Sequence, residues 1–204
     1  MDGIPFKEHP LFPLFPEKKL ITCCFEAIVE EVDPLTDLLE RAVGGRGVVA
    51  LIDAKKIAGE GQIITASILY TLISNFGKKW IRKPSLMLTA ILAGTRQVSE
   101  ALRSLGLREG RNEVVLAIIS SSEENGSALL SSLFESLFSS GSLHPLKFEE
   151  CSEVLDGPSL TSLYGIPAEE LRALSRSRGL SEKELIEEAI IEEINLLLAE
   201  VTRG

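Results

Sequence analysis

The chain has 204 residues, of which 45% are hydrophobic and 25% are charged, with a formal net charge of −9 at pH 7. These values are typical of a single globular domain that buries a core of ordinary size. No apolar run in the sequence is long enough to cross a bilayer, which excludes a membrane-spanning helix. The N-terminal residues lack the basic start and apolar core of a secretory signal, so a cytoplasmic location is expected.

Positive charge is concentrated in the middle of this acidic chain. From Asp53 to Arg111 there are ten Lys and Arg residues and four Asp and Glu residues, which gives 10 − 4 = +6. The remainder carries −9 − 6 = −15, of which residues 112–204 carry −11. Such a distribution favours a molecule that meets phosphate on one side and a protein on another.

The N-terminal residues 1–17 are predicted to be an irregular Pro/Phe-rich arm, because prolines at positions 5, 10, 13 and 16 prevent regular pairing. Residues 18–204 are predicted to form one α/β domain. Its first element, LITCCFEAIVE (20–30), alternates apolar and polar residues and indicates a half-exposed strand. The three cysteines form no CxxC motif, and they are interpreted as reduced packing residues.

Further elements follow in chain order. A short helix within residues 33–45 precedes a buried strand, GVVALIDA (47–54). GQIITASILYTLISNFGKK (61–79) is predicted to be a helix that is apolar on most of its faces. The near-continuous apolar runs at 85–94 and 113–121 are typical of strands covered on both faces.

Between those two runs lies TRQVSEALRSLG (95–106), a predicted helix with Thr95 as its cap and Val98, Ala101, Leu102 and Leu105 as its buried stripe. Two more helices are predicted at 127–142 and 167–179. The last helix begins at Ser181, with Glu184 completing a capping box. The predicted architecture is a mixed β-sheet with helices on its faces and a long C-terminal helix.

The sequence predicts no catalytic residue, metal site or cofactor. His9 and His144 have no nearby nucleophile or carboxylate in a spacing that indicates a triad. The glycines of residues 43–49 precede a strand, whereas phosphate-binding glycines follow a strand and open a helix. Binding is therefore the favoured class of function.

Arg96 and Gln97 stand at the start of the helix that follows Thr95. A cation is badly placed there for helix stability, because the helix dipole favours anions at this end. Together with the backbone N–H groups, the two side chains could hold a phosphate and a base edge. The alternative is a ladder of ion pairs, Arg96 and Arg103 with Glu100 between them.

A second basic segment, GKKWIRKP (77–84), surrounds the only Trp with four cations. Cations interleaved with an aromatic side chain suit single-stranded nucleic acid. The alternative is a buried Trp80 with solvated cations around it. The predicted nucleic-acid-binding residues are Lys55, Lys56, Lys78, Lys79, Trp80, Arg82, Lys83, Arg96, Gln97 and Arg103.

The order of the segments FEAIVE, VVALIDAKKIAGEGQIITASILYTLI, TRQVSEALRSLGLREGRNEVVLAII and LYGIPAEELRAL resembles the TPRKB-like, Cgi-type small subunit of the KEOPS complex. The resemblance implies a non-catalytic subunit that binds the kinase-like ATPase of that complex. In archaeal members it also implies that the subunit holds the single-stranded CCA end of tRNA. The whole complex makes threonylcarbamoyladenosine, with the transferase chemistry in another subunit.

Arg96 and Gln97 match the family's Arg-Gln pair at a helix start, which favours archaeal-like, tRNA-binding behaviour. The apolar helix at 61–76 and the C-terminal helix are candidates for docking the kinase. The predicted partner-interface residues are Ile64, Ile68, Leu72, Ile190, Ile194 and Leu197; the alternative for each is ordinary core packing.

Two other hypotheses remain open. One is a small α/β enzyme in which Asp53, Lys55 or Arg96 holds an anionic metabolite. The other is a purely structural homodimer, whereas the KEOPS hypothesis expects an isolated chain that is monomeric.

Overall fold

A five-stranded antiparallel sheet forms the centre of the protein, whose computed structural model describes residues 4–11, 13–77, 79–149, 151 and 168–203. Its strands are β1 (Lys7–Pro10), β2 (Lys18–Val29), β3 (Gly47–Asp53), β4 (Gly110–Ser121) and β5 (Leu143–Glu149). The helices in these residues are α1 (Leu35–Val43), α2 (Glu60–Phe76), α3 (Pro84–Leu92), α4 (Val98–Leu105), α5 (Gly126–Ser140), α6 (Ala168–Arg178) and α7 (Glu182–Arg203).

The long strand β2 organises the sheet. It pairs with β4 along its whole length, from Lys18 opposite Ser121 to Val29 opposite Gly110. Its other edge is shared between β1, which pairs with residues 19–22, and β5, which pairs with residues 24–29. Strand β3 pairs with the far side of β4. All four pairings are antiparallel, so the predicted α/β class is confirmed, but the sheet is not mixed.

Helices cover both faces of this sheet. One core cluster joins β2 and β4 to α2, α3 and α7, and a second joins them to α1 and α5. Leu20 and Cys24 belong to the first cluster, whereas Ile21, Cys23 and Phe25 belong to the second. The prediction that β2 is half-exposed is therefore wrong, because its polar-looking face carries Thr22 and Cys24 into a buried layer.

The apolar run at 85–94 is a helix rather than the predicted strand. Helix α3 contacts α2, α4 and β3, and seven of its nine residues are buried. A short run that is buried all round has no period, so it cannot be assigned from its apolar pattern. The usable signal was Pro84 at the first helical position.

The N-terminal arm is partly regular, so the prediction of irregular structure is wrong for residues 7–10. These residues form the edge strand β1, where a terminal Pro10 is tolerated because its missing N–H faces away from the sheet. Leu11 and Phe15 are 1% and 5% exposed, which ties the arm to the core. Strand β5 was not predicted; its Pro145 lies beside a register shift in the pairing with β2.

The prediction of three reduced cysteines is also wrong. Cys24 and Cys151 form a disulfide, with Cα atoms 5.1 Å apart. Cys23 is free and buried, and burial raises the pKa of its thiol to about 12. That thiol is protonated at neutral pH and serves as a packing group.

The predicted helices at 61–79, 127–142 and 167–179, and the last helix from Ser181, are confirmed. Within the described ranges, no helix is both long enough and apolar enough to span a bilayer.

Candidate nucleic-acid interface

Arg96 and Gln97 lie in the tight connection between α3 and α4. The connection turns at Gly94, whose φ of 65° favours glycine. The Thr95 N–H donates to the carbonyl of Ala90 at 3.0 Å. The Thr95 hydroxyl accepts from the Gln97 N–H at 3.2 Å and donates to a Glu100 carboxylate oxygen at 2.8 Å. These bonds fix the backbone that carries both side chains.

Helix α4 begins two residues later than Arg96. The prediction of Thr95 as the cap is wrong, because Gln97 is the N-cap residue of α4. Gln97 makes no side-chain capping bond, so its carboxamide is not used by the helix. Both Arg96 and Gln97 are exposed. Leu102, which was predicted to be buried, is 43% exposed, while Ala101 and Leu105 form the buried side of α4.

The guanidinium of Arg96 lies over the ring of Trp80. Its Cζ atom is 5.9 Å from the ring centroid, within the range of a cation–π contact. Trp80 is half-buried and packs against the first core cluster. Its Nε1–H is buried and has no hydrogen-bond acceptor in the described part of the chain. The structure thus brings together one residue from each of the two basic segments.

Four of the predicted cations are exposed and available. Among the residues with described positions, no ion pair involves Arg96, Lys79 or Arg82. Arg103 is 80% exposed, and its guanidinium is 4.0 Å from Glu100, a weak contact. The ladder of ion pairs that the sequence left open does not include Arg96.

Three other predicted cations form ion pairs within the protein. Lys78 lies outside the described residues. Lys56 has a side chain only 14% exposed; it is 3.2 Å from Asp53 and donates to the Gly106 carbonyl at 2.7 Å. Lys55 pairs with Glu113 at 3.0 Å, and this hydrogen-bonded partner raises the pKa of Lys55.

Lys83 donates to Asp37 on α1 and lowers the pKa of that carboxyl group. Lys55, Lys56 and Lys83 are therefore paired within the protein and add no free charge to the four available cations.

The predicted partner-interface residues divide by burial. Ile190, Ile194 and Leu197 are 2%, 0% and 4% exposed, because α7 packs this face against the first core cluster. These three side chains do not form a free surface. They are core residues, which was the alternative that the sequence left open for them. Ile64, Ile68 and Leu72 are half-buried along one side of α2.

The exposed apolar surface of these helices lies elsewhere. Phe76 at the end of α2 is 80% exposed, and Leu196 on α7 is 59% exposed. A shallow groove of about 330 Å³ on α7 is lined by Glu188, Ile191, Glu192, Asn195 and Leu196. Leu196 was not among the residues predicted from the sequence. The available signal was that Leu196 lies on a different side of the helix from the apolar stripe of Ile190, Ile194 and Leu197.

Neither of the two pockets described among these residues is lined by Asp53, Lys55 or Arg96. The carboxylate of Asp53 accepts from the Lys55 N–H at 3.2 Å and pairs with Lys56. Across the ranges that the structure describes, no group of three or more His, Cys, Asp and Glu residues could hold a metal ion.

Comparison with curated proteins found no matching relative. The family model described as kinase binding protein CGI-121 matches residues 29–197, which is more than half of the chain. The chain therefore belongs to the CGI-121 family of kinase-binding proteins.

Proposed function

We propose that this chain is a non-catalytic, cytoplasmic subunit of an archaeal-like KEOPS complex. It binds the kinase-like ATPase subunit and holds the single-stranded CCA end of tRNA during threonylcarbamoyladenosine modification. Membership of a kinase-binding family carries the first part of the proposal. A buried disulfide is uncommon in a reducing cytoplasm, although intracellular proteins of hyperthermophilic archaea are an exception.

The tRNA part is supported by the exposed Arg96–Gln97 pair on a fixed turn. An arginine with no anionic partner can neutralise a phosphate, and a free carboxamide can both donate to and accept from a base edge. Lys79, Arg82 and Arg103 are further exposed cations from the same basic part of the sequence. A few phosphate contacts of this kind give RNA affinity that falls with salt.

A gel-shift titration of the full chain with intact and CCA-trimmed tRNA tests this role. We expect intact tRNA to bind more tightly, and Arg96→Ala to weaken binding and lower the salt slope by about 1. Arg176→Ala is the matched control, because it removes the same charge from an exposed position on α6. Equal affinity for both tRNAs would exclude recognition of the CCA end.

The kinase-like subunit is proposed to dock on the groove of α7. Ile191 and Leu196 supply apolar contact, and Glu192 gives the groove an acidic edge, whereas Glu188 is paired with Arg178 at 2.7 Å. Apolar side chains at the centre of an interface with charges at its rim are the usual arrangement. The fitting partner surface is therefore apolar with basic residues around it.

Calorimetric titration of the chain with the kinase-like subunit tests this surface. We expect Leu196→Glu to weaken binding by about 2 kcal/mol or more, as for a central apolar contact. Leu174→Glu, at a leucine 42% exposed on α6, is the control and is expected to bind like the unmodified chain. If both variants bind equally well, the groove on α7 is not the docking surface.

A further inference from the structure

Trp80 and Arg96 form a contact that neither basic segment reveals by itself. The two residues lie on opposite sides of α3 along the chain, and the Arg96 Cζ atom is 5.9 Å from the Trp80 ring centroid. The indole packs against the hydrophobic core, which sets the position of the ring. The aromatic side chain is therefore the anchored member of the pair, and the exposed arginine is the member that it orients.

This arrangement leaves Trp80 poorly suited to read a base. A base that stacked on the face beneath Arg96 would first have to displace the guanidinium. The indole N–H is buried, so it cannot donate to a ligand at the surface. The sequence-based prediction of Trp80 as a stacking platform thus finds no support in the geometry of the ring.

The guanidinium of Arg96 has the properties that the ring lacks. It is exposed, and no carboxylate in the described parts of the chain pairs with it. A guanidinium is planar, and its plane stacks on nucleic-acid bases as well as on aromatic side chains. Holding it in one orientation before binding reduces the entropy lost when a ligand arrives.

We propose that Trp80 is a positioning residue for Arg96, and that the outer face of the Arg96 guanidinium stacks on a base of the single-stranded RNA end. This inference rests on the proposed tRNA function. The neighbouring Gln97 side chain is free to hydrogen-bond with the edge of the same base.

A double-mutant cycle tests the coupling. Binding of the full chain to a fluorescent tRNA minihelix ending in CCA is measured by anisotropy at constant salt. The variants are Trp80→Leu, Trp80→Phe, Arg96→Ala, Arg96→Lys and the Trp80→Leu/Arg96→Ala double variant. The thermal unfolding midpoint of each variant is measured under the same conditions.

We expect Trp80→Leu to weaken binding about two- to fivefold, as for loss of an exposed cation–π contact. Trp80→Phe keeps an aromatic ring and is expected to recover most of that loss. In the Arg96→Ala background, removing Trp80 should change nothing further. Arg96→Lys keeps the charge but loses the plane, so it is expected to weaken binding about fivefold or more.

Three outcomes would overturn the inference. The first is an equal effect of Trp80→Leu in both backgrounds, and the second is full binding by Arg96→Lys. The third is strong quenching of the fluorescence of the single Trp by the minihelix, which would show that a base stacks on the indole itself. If Trp80→Leu does not fold, the quenching measurement and the Trp80→Phe variant still decide the question. If the unmodified chain binds neither this minihelix nor the intact and CCA-trimmed tRNAs, the tRNA function itself fails.

Discussion

At the scale of single residues, adjacent lysines have different roles. Lys55 and Lys56 look alike in the sequence, and both were predicted to contact nucleic acid. The side chain of Lys55 is 64% exposed and pairs with Glu113, whereas that of Lys56 is 14% exposed beside Asp53 and Gly106. Burial decides which lysine charge is available to a ligand. The burial of two adjacent lysines cannot be predicted from their residue type.

Lys56→Met is therefore expected to lower the free energy of unfolding by about 1–3 kcal/mol, because it leaves a carboxylate and a carbonyl without their buried donor. Lys55→Met removes a surface ion pair and is expected to cost about 0–1 kcal/mol. Urea unfolding of the two variants measures the difference. Equal losses would show that Lys56 does not connect β3 to the end of α4.

At the scale of elements, α7 begins with a capping box that the sequence predicted. The Ser181 N–H and hydroxyl both donate to the Glu184 carboxylate, at 2.7 and 2.8 Å, and the Glu184 N–H donates to the Ser181 hydroxyl at 3.2 Å. Both hydrogen bonds from Ser181 lower the pKa of Glu184, and the bond from the Ser181 backbone N–H has the larger effect. Local capping chemistry is encoded in adjacent residues, so it can be read without the fold.

A carboxyl group whose pKa is lowered by folding stabilises the native state above its ordinary pKa of about 4.3 and loses this effect as the pH falls through the folded value. We expect Glu184→Ala to be less stable than the unmodified chain at pH 7, with the difference narrowing towards pH 3. Thermal unfolding followed by circular dichroism measures this trend.

Glu182→Ala is the matched control, because it makes the same substitution in the same helical turn. Glu182 has no hydrogen bond of this kind among the described contacts. A pH dependence equal in the two variants would contradict a specific role for the capping box.

At the scale of the whole molecule, one covalent link joins distant parts of the chain. The disulfide connects Cys24 in the central strand β2 to Cys151, which follows β5, across a sequence separation of 127 residues. Closing a loop of this length restricts the unfolded chain strongly, so the bond stabilises the fold.

Cys151→Ser is expected to lower the free energy of unfolding by about 2–5 kcal/mol without reductant. With a dithiol reductant, the unmodified chain should fall to a similar stability. Cys23→Ala is the control: Cys23 is a free, buried thiol, and its substitution should have the same effect with and without reductant. A stability of the unmodified chain that does not respond to reductant would contradict a structural role for this bond.

The division of the charge is also a property of the whole molecule. The basic segments carry exposed arginines and lysines, while Glu188 and Glu192 on α7 border the exposed groove. From charge counts alone, the sequence predicts that the basic and acidic parts of the molecule meet different partners. It could not predict that Arg96 would lie over Trp80, since that contact depends on how the chain folds around α3.

Local information in the sequence was sufficient for the strands β3 and β4, the helices α2, α5 and α6, and the start of α7. Each has its own pattern, stop or cap, and these act over a few residues. The tertiary structure alone decided that Cys24 meets Cys151 and that Ile190, Ile194 and Leu197 face inward. It also decided that residues 84–92 are a helix, for which Pro84 was the one local signal. The physical reason is that an apolar run indicates burial but not its partner, and a charged residue indicates only that it needs water or an opposite charge.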